Sequence, residues 1–188
     1  MGHSVEIRML ETFEQLLDRK PELRNRRNIS SSVLREHFDR PDKHCTWCGK
    51  KVEGRRQTWC SSECVTEYRE RCDSQYAAYQ AHKRDQGICQ ICGRDTGRCQ
   101  RIYRAFCRSM RLGFSRDNEI TRWLKSQMGF GRGRWGEVDH VVPVCEGGGL
   151  CTLDGLRWLC GACHAEETRE LAARRAKKPV PDGQLELF

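Results

Sequence analysis

No stretch of this chain is long and apolar enough to cross a bilayer, and its start has no apolar core of a secretory signal. Both absences make a reducing cytoplasm the expected setting and give no sign of a membrane partner. Apolar residues are also scarce. With 37% hydrophobic and 32% charged residues in 188, the chain suits one or two small domains without a large core. Domains of that kind need a further brace.

Cysteine is abundant, with thirteen residues. An odd number argues against a fully paired disulfide scaffold, and the spacing favours zinc. Cys45-x2-Cys48, Cys89-x2-Cys92 and Cys160-x2-Cys163 are close pairs suited to tetrahedral thiolate coordination. In KHCTWCGKKVEGRRQTWCSSEC, Cys45 and Cys48 form a knuckle relieved by Gly49. Cys60 and Cys64 follow, with Ser61 or Ser62 capping a helix whose first turn presents Cys64. A second set runs Cys89, Cys92, Cys160 and Cys163, and a helix starting at its second pair gives a treble-clef-like arrangement. Two structural Zn²⁺ ions are expected. Cys72 is expected as a lone buried thiol. Cys99, Cys107, Cys145 and Cys151 are buried thiols or, for two of them, an unexpected bond.

Around these sites the chain reads as helical. In residues 5–20, Met9, Leu10, Phe13, Leu16 and Leu17 lie on one helical stripe that Pro21 ends. This region is either a helical cap or a loosely attached arm. A shorter helix covers 30–38 behind a serine cap. A helix from about Ser62 to Lys83 is interrupted near Asp73 and Ser74, with Tyr68, Tyr76 and Tyr79 in packing positions. Residues 94–136 suggest two amphipathic helices, with Trp123, Leu124 and Met128 packing them down. Arg101, Arg104, Arg108 and Arg111 recur at helical spacing, suited to DNA or to a solvated face. GFGRGRWG at 129–136 is expected to be mobile, with Arg132 and Arg134 available to phosphate.

The net charge is +8, from 34 Lys and Arg against 26 Asp and Glu. That balance suits a polyanionic partner and equally a solvated basic surface. The stretch EVDHVVPVCEGGGLC at 137–151, followed by LCGACH at 159–164, narrows the choice. A carboxylate from Asp139 would ligate a hard divalent ion. Neutral His140 would remove a proton from water attacking a phosphodiester. Helix entry at Cys160–Cys163 would bring His164 beside that ion.

VDHVVPVCEGGGLCTLDGLRWLCGACH resembles the HNH nuclease motif, whose ββα-metal fold cleaves nucleic-acid phosphodiesters. The resemblance implies His140 as general base, Asp139 and His164 as ligands of a catalytic Mg²⁺ or Mn²⁺, and Cys89, Cys92, Cys160 and Cys163 around structural zinc. A broader likeness over about residues 45–175, including WCSSECVTEYRERC and GICQICG, is similar to the C-terminal nuclease regions of annealing helicases that carry a Ran-binding-type zinc finger. No helicase motor accompanies it here. The family commonly places an asparagine where this chain has Gly155, and a basic residue where it has Ala165. Glycine cannot supply the side-chain hydrogen bonds that brace the active loop.

The last helix is expected over Ala162–Lys178, with Arg174, Arg175, Lys177 and Lys178 gathered at its end, as DNA contacts or as a solubilising cluster. Beyond it, Gln184-Leu185-Glu186-Leu187-Phe188 resembles the short peptide that bacterial replication and repair proteins insert into the sliding clamp. That likeness implies Gln184 at a polar subsite, Leu187 and Phe188 in an apolar pocket, and Leu185 as a further contact.

The expected fold is a small α+β zinc-stabilised protein. Residues 1–44 form a helical region, 45–86 a four-cysteine zinc module with a linking helix, 87–178 a treble-clef or ββα-metal HNH domain with a helical insertion, and 179–188 a tail. The expected function is a metal-dependent DNA endonuclease. A catalytically weak DNA-binding or clamp-associated adaptor is the alternative.

Overall fold

The structure is a computed structural model that describes residues 13–26, 28–111 and 118–177. The chain forms two compact units, Met1–Ala81 with His140–Leu156, and His82–Asp139 with Arg157–Phe188. Residues 140–156 therefore group with the N-terminal part of the chain. The architecture is α+β, with a helical N-terminal region and two four-cysteine clusters of the zinc-binding kind.

In the first unit, α1 (Phe13–Arg19), α2 (Ser31–His37) and α3 (Ser62–Cys72) surround the main hydrophobic core. Phe13, Leu16 and Leu17 of the predicted stripe are buried, whereas Met9 and Leu10 lie outside the described residues. They join Leu23, Ile29, Leu34, Phe38, Cys72 and Leu150. Each fully buried leucine contributes about 1.5–3 kcal/mol relative to exposure. The region is thus a packed core rather than a loose arm. Trp47, inside the first Cys-x2-Cys knuckle, stacks at 5.0 Å on Phe13, and its Nε1 donates to Glu67 Oε2 at 2.6 Å.

The helix ends follow local chemistry. Ser30 caps α2 by accepting from Val33 N, and Ser61 caps α3 by accepting from Cys64 N. Asp73 takes an extended conformation after α3, and its carboxylate accepts from Gln75 N and Tyr76 N at the start of α4 (Ser74–Arg84). The expected interruption falls there. Tyr68 is half-buried and donates to Ile29 O, but Tyr79 is 61% exposed rather than packed. The buried face of α4 is carried by Ala77 and Ala81, one turn apart, and Tyr79 points away from it.

In the second unit, α5 (Thr96–Ser109) starts earlier than its apolar pattern suggests, because Asp95 caps it by accepting from Arg98 N at 2.7 Å. Asn118 and Thr121 cap α6 (Glu119–Gln127) reciprocally and turn Thr121 inward. Trp123 is consequently 63% exposed, not packed, while Leu124 and Met128 are half-buried. The glycine-rich 129–136 segment forms a hydrogen-bonded turn, with Gly131 and Arg134 bonded in both directions. Its backbone abuts the next helix so closely that a Cβ on Gly131 would stand 2.3 Å from Gly161 O.

Strands β1 (Gly136–His140) and β2 (Leu156–Cys160) pair as a two-stranded sheet. Val141 N donates to Gly155 O at one end, and Gly161 N to Trp135 O at the other. These bonds set an antiparallel register in which Asp139 faces Arg157. Directly opposed residues share a face and successive ones alternate. Glu137, Asp139 and Arg157 therefore line one face, and Gly136, Val138 and Trp158 the other. Helix α7 (Gly161–Ala176) leaves β2 directly.

Candidate metal centres

Among the described residues, two groups of cysteines bring all four sulfurs within 4.8 Å of one another: Cys45, Cys48, Cys60 and Cys64, and Cys89, Cys92, Cys160 and Cys163. Both predicted sets are thus assembled. All thirteen cysteines are free thiols, with Cys72 and Cys107 buried, Cys99 and Cys151 half-buried, and Cys145 exposed.

The two clusters are built alike. Cys45 N donates to Lys50 O, as Cys89 N does to Arg94 O. Gly49 N donates back to Cys45 O, and Gly93 N to Cys89 O. Both glycines hold positive φ, +72° and +69°, where a side chain would be strained. The second pair of each cluster sits at a helix start: Cys60 and Cys64 at α3, Cys160 and Cys163 at α7. Sulfur separations of 3.5 Å for Cys48–Cys60 and Cys60–Cys64, and 3.8 Å for Cys92–Cys160, are far beyond a disulfide bond. They suit the edges of a tetrahedron with metal–sulfur bonds of about 2.3 Å. The donors and their geometry therefore fit zinc.

The electrostatics agree. Burial opposes ionisation at Cys45, but backbone N–H donors from Cys48, Cys60 and Trp47 bring its thiol down to about 7. At Cys89 burial is likewise outweighed by N–H donors from Cys160, Cys92 and Ile91, again to about 7. Burial and adjacent thiols push Cys64 and Cys163 up, so their protons must leave when metal binds. Arg94 Nη1 lies 3.6 Å from Cys160 Sγ and 3.9 Å from Cys92 Sγ, placing a cation beside the second cluster.

A third cluster lies on one face of the β1–β2 sheet. His164, one residue after the zinc-type ligand Cys163, turns its Nε2 to 3.9 Å from Asp139 Oδ1. Its buried Nδ1 stands 2.9 Å from Glu137 Oε1, at ion-pair distance but outside the alignment of a directed hydrogen bond. Arg157 holds the other oxygen of Asp139, donating from Nε at 3.2 Å and Nη2 at 2.9 Å, and Nη2 also donates to Glu167 Oε2 at 2.6 Å. Desolvation works against the Arg157 charge, but bonds to Asp139 and Glu167 raise its pKa above the ordinary value. With ligand bonds of about 2.1 Å, Oδ1 and Nε2 at this separation can reach one divalent ion. Among the described residues this pair does not extend to a third close ligand atom.

Asp139 and His164 are thus brought together. His140 ends β1, half-buried, as the next residue in the chain. Arg132 and Arg134 are exposed, the first donating to Thr168 Oγ1 and the second paired with Glu137 at 3.4 Å. Arg174, Arg175 and Lys177 are exposed, whereas Lys178, Gln184, Leu185, Leu187 and Phe188 lie outside the described residues. Glu137, Arg157 and Glu167 escaped sequence reasoning. Glu137 stands two residues before Asp139 and Glu167 three after His164, at strand and helix spacings that place each on its partner's face. Arg157 carried no such signal.

Gly155 occupies the position where the resembled motif carries asparagine. A Cβ there would stand 2.6 Å from both Cβ and Sγ of Cys151. The side chain of Cys151 fills the space that an asparagine would enter.

Among curated proteins, the chain is 31% identical over 142 residues to the mouse (Mus musculus) protein named DNA annealing helicase and endonuclease ZRANB3. The Bos taurus and Homo sapiens proteins of the same name are 32% and 30% identical over 146 and 147 residues. Each match takes in 69% of this chain but 13% of the relative. No family model matches the chain, and no solved structure does. The chain is therefore a distant homologue of a small part of these proteins.

Proposed function

We propose that this protein is a metal-dependent DNA endonuclease of the HNH kind, acting on structured or flap-like DNA in replication or repair. The observation that carries the proposal is the convergence of Asp139 from β1 and His164 from α7, with Oδ1 and Nε2 3.9 Å apart. The start of α7 is fixed there by a cysteine cluster. The similarity to proteins whose name includes endonuclease adds to it.

Asp139 and His164 would hold one Mg²⁺ or Mn²⁺, which when bound would supply positive charge to the scissile phosphate and its leaving oxygen. His140 would accept the proton of the attacking water. Arg157 fixes the Asp139 carboxylate so that Oδ1 faces His164, and the Glu137 carboxylate stands on the far side of the imidazole. The two four-cysteine clusters would each hold a structural zinc ion, pinning the knuckles to α3 and α7 apart from the reacting groups. Arg132, Arg134, Arg174, Arg175, Lys177 and Lys178 would contact DNA phosphates. Gln184, Leu185, Leu187 and Phe188 would dock on a sliding clamp and localise the enzyme.

The test is cleavage of labelled single-stranded, duplex, nicked and flap DNA with Mg²⁺ or Mn²⁺, comparing the unchanged protein with His140→Ala. Cleavage should disappear in a folded, zinc-replete His140→Ala protein. A second reading, a non-catalytic DNA- or clamp-bound adaptor, is favoured by Gly155 and its filled surroundings. It would prevail if no substrate is cut while DNA or clamp binding persists.

A further inference from the structure

On the sheet face opposite the acidic cluster, the second unit has a cavity of about 590 Å³, within the usual range for small organic ligands. Its walls are mixed, with the carboxylate of Asp95 and the guanidinium of Arg134 among them. Trp135 and Trp158 supply indole surface, Gln86 and Gln100 supply amides, and Arg101 supplies a guanidinium, while Gly97 leaves room beside them.

Both indoles are held in place before any ligand arrives. Trp158 Nε1 donates to Thr96 Oγ1 at 3.1 Å, and its backbone N donates to Asp85 Oδ2 at 2.8 Å. His82 meets its ring edge-on at 4.4 Å. A Cβ on Gly136 would stand 2.6–2.8 Å from three atoms of that indole, so only glycine lets the ring lie against β1. Trp135 is set between Tyr103 and Phe130, at 5.3 and 5.0 Å.

From Arg101 at the cavity wall, α5 continues with Arg104 and Arg108, all three exposed, and residues 96–111 contain no acid. Seven helical residues carry this basic track over about 10 Å, a length over which one DNA strand presents about three phosphates. Preformed aromatic walls stack on bases, amides bond to base edges, and arginines neutralise phosphates. A paired base, stacked inside its duplex, cannot enter such a cavity.

We propose that the cavity binds one unpaired nucleotide of a DNA strand, its base against Trp135 and Trp158 and its phosphate at Arg101, with the strand continuing along Arg104 and Arg108. The assignment to DNA rests on the nuclease reading; the pocket itself does not depend on turnover. It gives that reading a preference for substrates with a single-stranded element.

The test compares a labelled ten-nucleotide thymidine oligomer with an abasic oligomer of the same length and charge. Binding is followed by fluorescence anisotropy on the full, zinc-loaded chain carrying His140→Ala, without added Mg²⁺. The thymidine oligomer should bind about tenfold tighter, as expected for one stacked base. Gly97→Leu, which fills the cavity, should remove that margin. A Cβ at Gly97 meets only Arg101 Nη1 at 3.3 Å and Asp95 Oδ1 at 3.4 Å, the ends of flexible side chains. Gln100→Ala, with circular dichroism and zinc content as folding controls, should reduce the same margin. Arg104→Gln with Arg108→Gln should weaken both oligomers equally. Equal affinity for the two oligomers, or a margin that survives both cavity variants, overturns the proposal. Tighter binding of a uridine ribo-oligomer overturns the assignment to DNA. Base-dependent binding without cleavage of any substrate would remove the nuclease reading alone, and cleavage without base-dependent binding would remove this inference alone.

Discussion

Asp139 and Arg157 face each other across the two-stranded sheet, and the guanidinium takes one oxygen of the carboxylate while leaving the other toward His164. The same Nη2 also binds Glu167 on α7, so one side chain ties β1, β2 and α7 together. Its planar fork is what permits this, and a lysine offers only a point charge.

Arg157→Leu should destabilise the protein by about 1–2 kcal/mol, an amount discounted because these groups are partly exposed. Two carboxylates would lose their shared partner. Arg157→Lys should recover less than half of the loss. Denaturant midpoints of zinc-loaded protein measure both, and an unchanged midpoint for Arg157→Leu would show that the pairing adds nothing to stability.

The close approach of Gly131 and Gly161 gives a sharper expectation. A Cβ at Gly161 would stand 2.4 Å from Arg134 O and from Gly131 N, both backbone atoms with little freedom to yield. Gly161→Ala should cost about 2–4 kcal/mol by forcing the turn and helix apart. Because Cys160 and Cys163 flank this residue, zinc content should fall from two ions per chain toward one. Elemental analysis after gel filtration reads the outcome directly.

Zinc affinity should decline as pH falls. Metal binds thiolates, so protons compete with it. Cys45 and Cys89, held near 7 by backbone N–H donors against burial, are the readiest to give up their protons. Cys64 and Cys163, pushed up by burial and adjacent sulfur, release theirs on binding. Competition with a chromophoric chelator should therefore show proton release on metal uptake and weaker binding through the range below about pH 7. Affinity independent of pH would argue against four-thiolate sites.

Restoring the asparagine of the resembled motif should not repair this chain. Gly155→Asn places its Cβ against Cys151, and overpacking of that kind costs about 1–3 kcal/mol. Combining it with Cys151→Gly, which removes both clashing atoms, should recover much of the loss. Thermal unfolding of the single and double variants would reveal the coupling, and a single variant as stable as the parent would show that the loop relaxes freely.

Much of this protein was written in the sequence because its determinants are local. The Cys-x2-Cys knuckles carry their own turn geometry, with glycine at the one position needing positive φ. Ser30, Ser61 and Asn118 mark helix starts by bonding to backbone three residues on. The pairing of distant cysteines followed from ligand number and helix entry, and Asp139 with His164 followed from the motif that holds them. Tertiary structure decided what depends on register and competing faces. Arg157 reaches Asp139 only because the strands align across an intervening stretch of fifteen positions, 141–155, whose turns no local pattern specifies. Trp123 and Tyr79 face solvent because the helices bury Thr121, Ala77 and Ala81 instead, a choice made by the packing surface and not by hydrophobicity. The cavity of Trp135 and Trp158 arises from segments far apart in the chain, brought together where glycine backbones permit close contact.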